Sequence, residues 1–101
     1  MSHAAGVPVE LSATEFRYEP KEVSTASGSV IFVVRNEGAI EHNFVLEDAV
    51  GKKVAEIAVI EPGTTAEVTA TLTPGAYTIA CTLPGHRQAG MVATLKVAKS
   101  D

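Results

Sequence analysis

The 101-residue sequence predicts an all-β fold, an antiparallel two-sheet Greek-key β-sandwich of about 7–9 strands. Valine, isoleucine and threonine are abundant while tryptophan is absent and leucine scarce, a balance that suits pleated, half-buried strands. Turn-forming residues punctuate the chain at short intervals: Glu19-Pro20, Ser27-Gly28, Asn36-Glu37-Gly38, Val50-Gly51, Glu61-Pro62-Gly63, Thr73-Pro74-Gly75 and Pro84-Gly85. No window of roughly 10 residues carries a convincing helical stripe.

Between those turns the strands are expected at 7–11, 16–18, 22–25, 29–35, 42–46, 54–60, 65–72, 76–82 and 91–98. The third ends ahead of Ser27-Gly28, and the fourth runs from there to Asn36-Glu37-Gly38. In the seventh, Ala66, Val68, Ala70 and Leu72 share one parity and Glu67, Thr69 and Thr71 the other, the pattern of a half-buried strand. The fourth is apolar on both parities and is expected to be central, with both faces covered. The stretch 47–56 is the least strand-like and is expected to hold a loop or a short turn.

The length accommodates one domain, expected over 7–101, preceded by a short polar lead at 1–6 whose His3 belongs to the tail rather than to a site. The longest apolar run, Val30 to Val34, is far short of the roughly 20 residues that span a bilayer. A net charge of −4, with only 8 Lys and Arg in no cluster, argues against nucleic acid as a partner. The lead has neither a basic start nor an apolar stretch, so it is no signal peptide.

Composition leaves one odd residue, the single cysteine Cys81, which cannot form an internal disulfide. By default a lone cysteine is an inert, buried thiol. Its surroundings say otherwise. The segment Cys81-Thr82-Leu83-Pro84-Gly85-His86-Arg87-Gln88-Ala89-Gly90-Met91 sets a thiol, an imidazole and a thioether at equal spacings of five. With 3 His and 2 Met in the chain, His and Met fall at those two offsets by chance in only about six cases in ten thousand. Parity adds His42: it shares a strand face with Phe44 and Leu46, as Cys81 does with Tyr77 and Ile79, and Met91 with Ala93, Leu95 and Val97. All three point inward from strand ends, with His86 on the connecting loop.

Two imidazoles and a thiolate with a weak axial thioether form a donor set that selects copper and tolerates both its oxidation states. Structural zinc takes four firm Cys or His ligands, and catalytic zinc prefers His, Asp or Glu with an open position, so a methionine suits neither. An iron–sulfur cluster needs about four cysteines.

On these residues the sequence resembles the cupredoxins, the small blue copper electron carriers that include plastocyanin, azurin and rusticyanin. The specific part of the resemblance is His42-Asn43 with Cys81, His86 and Met91; the stretches Glu15-Phe16-Arg17-Tyr18-Glu19-Pro20 and 29–36 add to it weakly. It implies one type 1 copper ion held by His42, Cys81 and His86 with Met91 axial, and Asn43 tying the two ligand loops together. Four residues separate Cys81 from His86, as in azurin, rusticyanin and stellacyanin, whereas plastocyanin has two; Met91 argues against the stellacyanin branch, which carries glutamine there.

The resemblance further implies a monomer that shuttles single electrons between transient redox partners such as a cytochrome or an oxidase, outside the cytoplasm, as a mature chain whose leader or anchor has been removed. It implies that electrons leave through His86; Leu83, Pro84, Ala89 and Ile40, close to the ligands in sequence, are then expected to form a small apolar docking patch, although Leu83 and Ile40 read equally well as core. Glu37, Glu41, Glu47 and Asp48 flank His42 and either steer a basic partner or form a solvated face. Neither a paired-carboxylate constellation nor a nucleophile with its base is evident, so an enzyme is not expected. The alternatives are a copper delivery or storage protein using the same four ligands, and an immunoglobulin-like binding domain with a buried Cys81.

Overall fold

In the computed structural model, residues 7–100 are described; the lead with His3, and residue 101, lie outside the described residues. Nine strands follow in order: β1 (Val7–Thr14), β2 (Arg17–Glu19), β3 (Glu22–Ala26), β4 (Gly28–Asn36), β5 (His42–Glu47), β6 (Lys53–Ile60), β7 (Thr65–Leu72), β8 (Gly75–Ala80) and β9 (Val92–Ala98). They form two sheets, ordered β2-β1-β4-β7 and β3-β9-β8-β5-β6.

The inward parities of the two sheets meet in one core. Val9, Leu11, Val30, Phe32, Val34 and Leu72 face Phe44, Leu46, Ile79, Ala93, Leu95 and Val97, all buried. Phe32 and Phe44 join the layers, their ring centroids 5.2 Å apart. Strand β7 shows the expected alternation, its Ala66, Val68 and Ala70 half-buried opposite Val34, Phe32 and Val30 of β4. The predicted break at 47–56 is a turn at 48–52 closed by Asp48 Oδ1, which accepts from the Val50 and Lys52 amides.

The sandwich is as predicted, but its sheets are mixed rather than antiparallel throughout. β1 runs parallel to β4 (Val9 opposite Phe32), and β3 parallel to β9 (Val23 opposite Leu95). Parallel neighbours need a crossover connection. After β1 the chain turns back as β2, passes to the other sheet as β3 and returns as β4. Alternation tells which side chains face inward and carries no information on the direction of the neighbouring strand.

Two local expectations also change. β4 is central, yet its outward residues Ile31 and Val33 are half-exposed, because a sandwich covers only one face of each sheet. β1 continues to Thr14, and Phe16, expected to open a strand, lies in the β1–β2 turn with φ at 64°. That left-handed conformation costs a non-glycine residue about 1–2 kcal/mol. Among the described residues no helix is long and apolar enough to cross a membrane.

Candidate metal centre

His42 opens β5, Cys81 follows the last residue of β8, and Met91 immediately precedes β9, so three candidate donors cluster at one pole of the sandwich. The Cys81 amide donates to the Met91 carbonyl at 3.2 Å, extending the β8–β9 ladder by one pair. Between them the chain makes a tight turn over 84–90, in which the Met91 amide donates back to the His86 carbonyl at 3.1 Å. This closure sets His86 above Cys81. Gly85 and Gly90 supply the positive φ angles of 82° and 109° that the turn requires.

On the other side of the site, β5 and β8 part. Their register pairs Val45 with Ala80 and ends there. The next non-adjacent pair in the same register, Asn43 and Thr82, is joined instead by a side chain: Asn43 Oδ1 accepts from the Thr82 amide, and Asn43 Nδ2 donates to Thr82 Oγ1, both at 2.8 Å. A bulge between His42 and Phe44, where two steps along β5 match three along β6, shifts the strand end further. The parted strands leave room for the donors between them.

His42, Cys81 and His86 come together, their donor atoms all within 4.8 Å of one another and all three residues buried. His42 Nδ1 lies 3.3 Å from His86 Nδ1, which lies 3.4 Å from Cys81 Sγ. Donors about 2.0–2.3 Å from a shared centre in a trigonal plane stand about 3.5–3.8 Å apart, so the cluster is close to the size a transition-metal ion needs. Met91 is wholly buried, and its backbone bonds to both Cys81 and His86. Burial holds the His86 imidazole below its usual pKa, the His42 charge acting in the same direction and Glu15 opposing.

Several residues that build this pole carry no ligand signal in the sequence, and three come from the β1–β2 hairpin. Glu15 Oε1 lies 3.1 Å from His42 Nε2. The Phe16 ring stands edge-on to His86, with centroids 5.0 Å apart. The buried Tyr18 donates its hydroxyl to the Asn43 carbonyl across the sandwich at 2.6 Å, and that burial raises its pKa above the ordinary 10.0. A fourth, the buried Asn36, shapes the loop before His42: its Nδ2 donates to the Ile40 and Ile60 carbonyls, and its Oδ1 accepts from the Gly38 amide. Only the family-like stretches at 15–20 and 29–36 pointed toward them, and they assigned them no role.

Near His86 the exposed residues are both apolar and polar: Phe16, 41% exposed, Pro84 and Ala89 on one hand, Arg87 and Gln88 on the other; Leu83 is half-buried against the core, and Ile40, also 41% exposed, lies two residues before His42. Two of the four flanking acids are paired with arginines, Glu37 with Arg35 at 2.9 Å and Glu47 with Arg87 at 3.1 Å. Asp48 is engaged in its own turn, and Glu41 is exposed.

Residues 5–98 match the family described as copper binding proteins, plastocyanin/azurin family. The chain is a cupredoxin and belongs to that copper-binding family. No curated protein matches it. Among solved structures it is similar to a dithionite-reduced auracyanin from Roseiflexus castenholzii, at 23% identity and a TM-score of 0.84, covering 94% of this chain and 99% of that one. It is equally similar to auracyanin B, at 23% identity and 0.84, covering 97% and 93%. Auracyanin A, a "blue" copper protein from Chloroflexus aurantiacus, follows at 24% and 0.80, covering 92% and 99%. Copper is therefore the metal of this chain, and the arrangement of His42, Cys81 and His86 fits a copper site.

Proposed function

We propose that the protein is a type 1 blue copper electron carrier in which His42 Nδ1, Cys81 Sγ and His86 Nδ1 would hold the ion and Met91 would supply a weaker thioether. The observation that carries this reading is the convergence of three buried donors of this chemistry, with Met91 buried and bonded through its backbone to two of them. Copper supplies a one-electron couple, Cu(I)/Cu(II). The chain keeps the donors still and dry. Asn43 ties the Cys81 end of β8 to the His42 end of β5, the turn over 84–90 is closed by backbone bonds, and Phe16 covers the His86 ring. A donor set held by so many elements moves little when the charge of the site changes.

These features favour a carrier over the alternatives. Hand-over of Cu(I) proceeds by ligand exchange and needs an approachable thiolate, whereas Cys81 is 0% exposed. Catalysis needs a substrate at the metal, and the donors are buried beneath the loops. His86, at 9% exposure, has the exposed Phe16 against its ring and the exposed Pro84 and Ala89 in its own turn, and these residues, with the exposed Ile40 two positions before His42, are our candidate for the docking face of a transient redox partner. Steering by the flanking acids is not part of the reading, since Glu37 and Glu47 are matched by arginines. We place the protein outside the cytoplasm, acting as a monomer.

An optical spectrum recorded while Cu(II) is added to the copper-free protein tests the proposal. An intense visible thiolate-to-copper band is expected, reversibly bleached by reductant and absent from Cys81→Ser. A colourless complex that passes copper to an acceptor would favour delivery, and no strong band in the parent protein would sink the blue copper reading.

A further inference from the structure

The β1–β2 turn sends Glu15 to one candidate ligand and Phe16 to the other. Its cost is visible in the left-handed backbone of Phe16. The Glu15 carboxylate has three anchors. Both oxygens accept from the Ala39 amide, at 3.1 and 3.0 Å, and Oε1 also faces His42 Nε2 at 3.1 Å. The third is steric. A Cβ at Gly38 would collide with Glu15 Oε1 and lie 3.2 Å from His42 Nε2. Gly38 is not among the glycines with positive φ, so the missing side chain serves space rather than backbone conformation. Asn36 holds this loop in place through the Gly38 amide and the Ile40 carbonyl.

We propose that Glu15 is a positioning residue of the copper site: seated on Gly38, its carboxylate keeps the His42 proton on Nε2, leaves Nδ1 free for the ion, and places a negative charge one imidazole away from it. The inference rests on the reading of His42 as a ligand. An ionised carboxylate only accepts hydrogen bonds, so Nε2 is the donor, and in the neutral imidazole that a metal binds the lone pair then falls on Nδ1, the nitrogen that faces His86 and the site. Bonding to a carboxylate also makes the imidazole a stronger donor to a metal. The negative charge favours Cu(II) over Cu(I), which holds the reduction potential down. The Glu15 side chain is 40% exposed, so salt screens part of this effect.

Three variants test it. Glu15→Gln keeps the shape and an accepting oxygen but removes the charge. Glu15→Ala removes both, and Gly38→Ala fills the seat while leaving Glu15 in the chain. Nitrogen-15 NMR of the copper-free protein is expected to show His42 protonated on Nε2 in the parent and a mixture of tautomers in Glu15→Ala and Gly38→Ala. In the copper-loaded protein, Glu15→Gln is expected to retain the visible band and raise the reduction potential, by a margin that shrinks as salt is added. Glu15→Ala is expected to weaken Cu(II) binding by about 10–100-fold. An unchanged His42 tautomer in Glu15→Ala, or an unchanged potential in Glu15→Gln with the visible band intact, would overturn the proposal. A parent protein without that band would instead overturn the reading of the site, and the tautomer measurement, which needs no copper, would still decide the role of Glu15.

Discussion

Asn43 takes the place of a backbone partner for Thr82. In the register set by Val45 and Ala80 these two residues face one another across β5 and β8, yet the strands have already separated. The amide side chain bridges the gap with two bonds of 2.8 Å. A direct backbone ladder there would draw the strand ends together and close the space between His42 and Cys81. Asn43→Ala is therefore expected to leave the Thr82 amide without its partner and to destabilise the copper-free protein by about 1–3 kcal/mol. Urea unfolding of variant and parent checks the stability, and a copper titration should show weaker binding in the same variant.

Tyr18 supports the same residue from the opposite sheet through the Asn43 carbonyl. Tyr18→Phe leaves that carbonyl without its donor and is expected to cost about 1–3 kcal/mol at neutral pH. Burial favours the protonated phenol in the native state, the Cys81 charge adding to it, so the folded pKa lies above the unfolded value near 10.0. A raised pKa of this kind gives stability that is complete below the unfolded value and declines above it, where the unfolded chain releases the proton first. The stability gap between parent and Tyr18→Phe should accordingly narrow as pH rises beyond 10.0, the ordinary tyrosine value. Urea unfolding across that range provides the measurement, and a constant gap would contradict the expectation.

Copper should stabilise the fold, because the donors converge only when β5, β8 and the loop before β9 are in place. Binding to the native state alone contributes about 2.7 kcal/mol at a hundredfold excess over Kd, an upward shift in Tm on the order of 10 °C for a domain of this size. Calorimetry with and without Cu(II) should show the shift, a chelator should reverse it, and Cys81→Ser should lose most of it.

The candidate docking face near His86 predicts a docking defect separable from the site itself. Leu83→Asp places a charge at a half-buried position of this face, next to Pro84. At equal copper loading and with an unchanged visible band, its electron exchange with a redox partner should slow severalfold. Stopped-flow mixing with an oxidised or reduced partner protein gives the rate, and equal rates for variant and parent would remove Leu83 from the docking face.

Much of the fold was legible because its signals are local. Turn residues mark the strand ends, and period-2 alternation shows which side chains enter the core; both survive in a chain read one segment at a time. Cys81, His86 and Met91 were legible for the same reason, since they sit in a single segment with regular spacing. Strand direction was not, because β1 beside β4 and β3 beside β9 reflect how distant segments pack.

The sequence by itself determined an all-β domain and a copper-type donor set, through composition, alternation and the chemistry of four side chains. The resemblance implied that Asn43 ties the ligand loops together, but only the tertiary structure decided which atoms hold the donors. Glu15 meets His42 across 27 residues, and Asn43 meets Thr82 across 39. Glutamate, phenylalanine and asparagine carry no ligand signal in a linear sequence. They acquire these roles when the β1–β2 hairpin folds over the pole and β5 and β8 part, because a hydrogen bond depends on distance in space rather than along the chain.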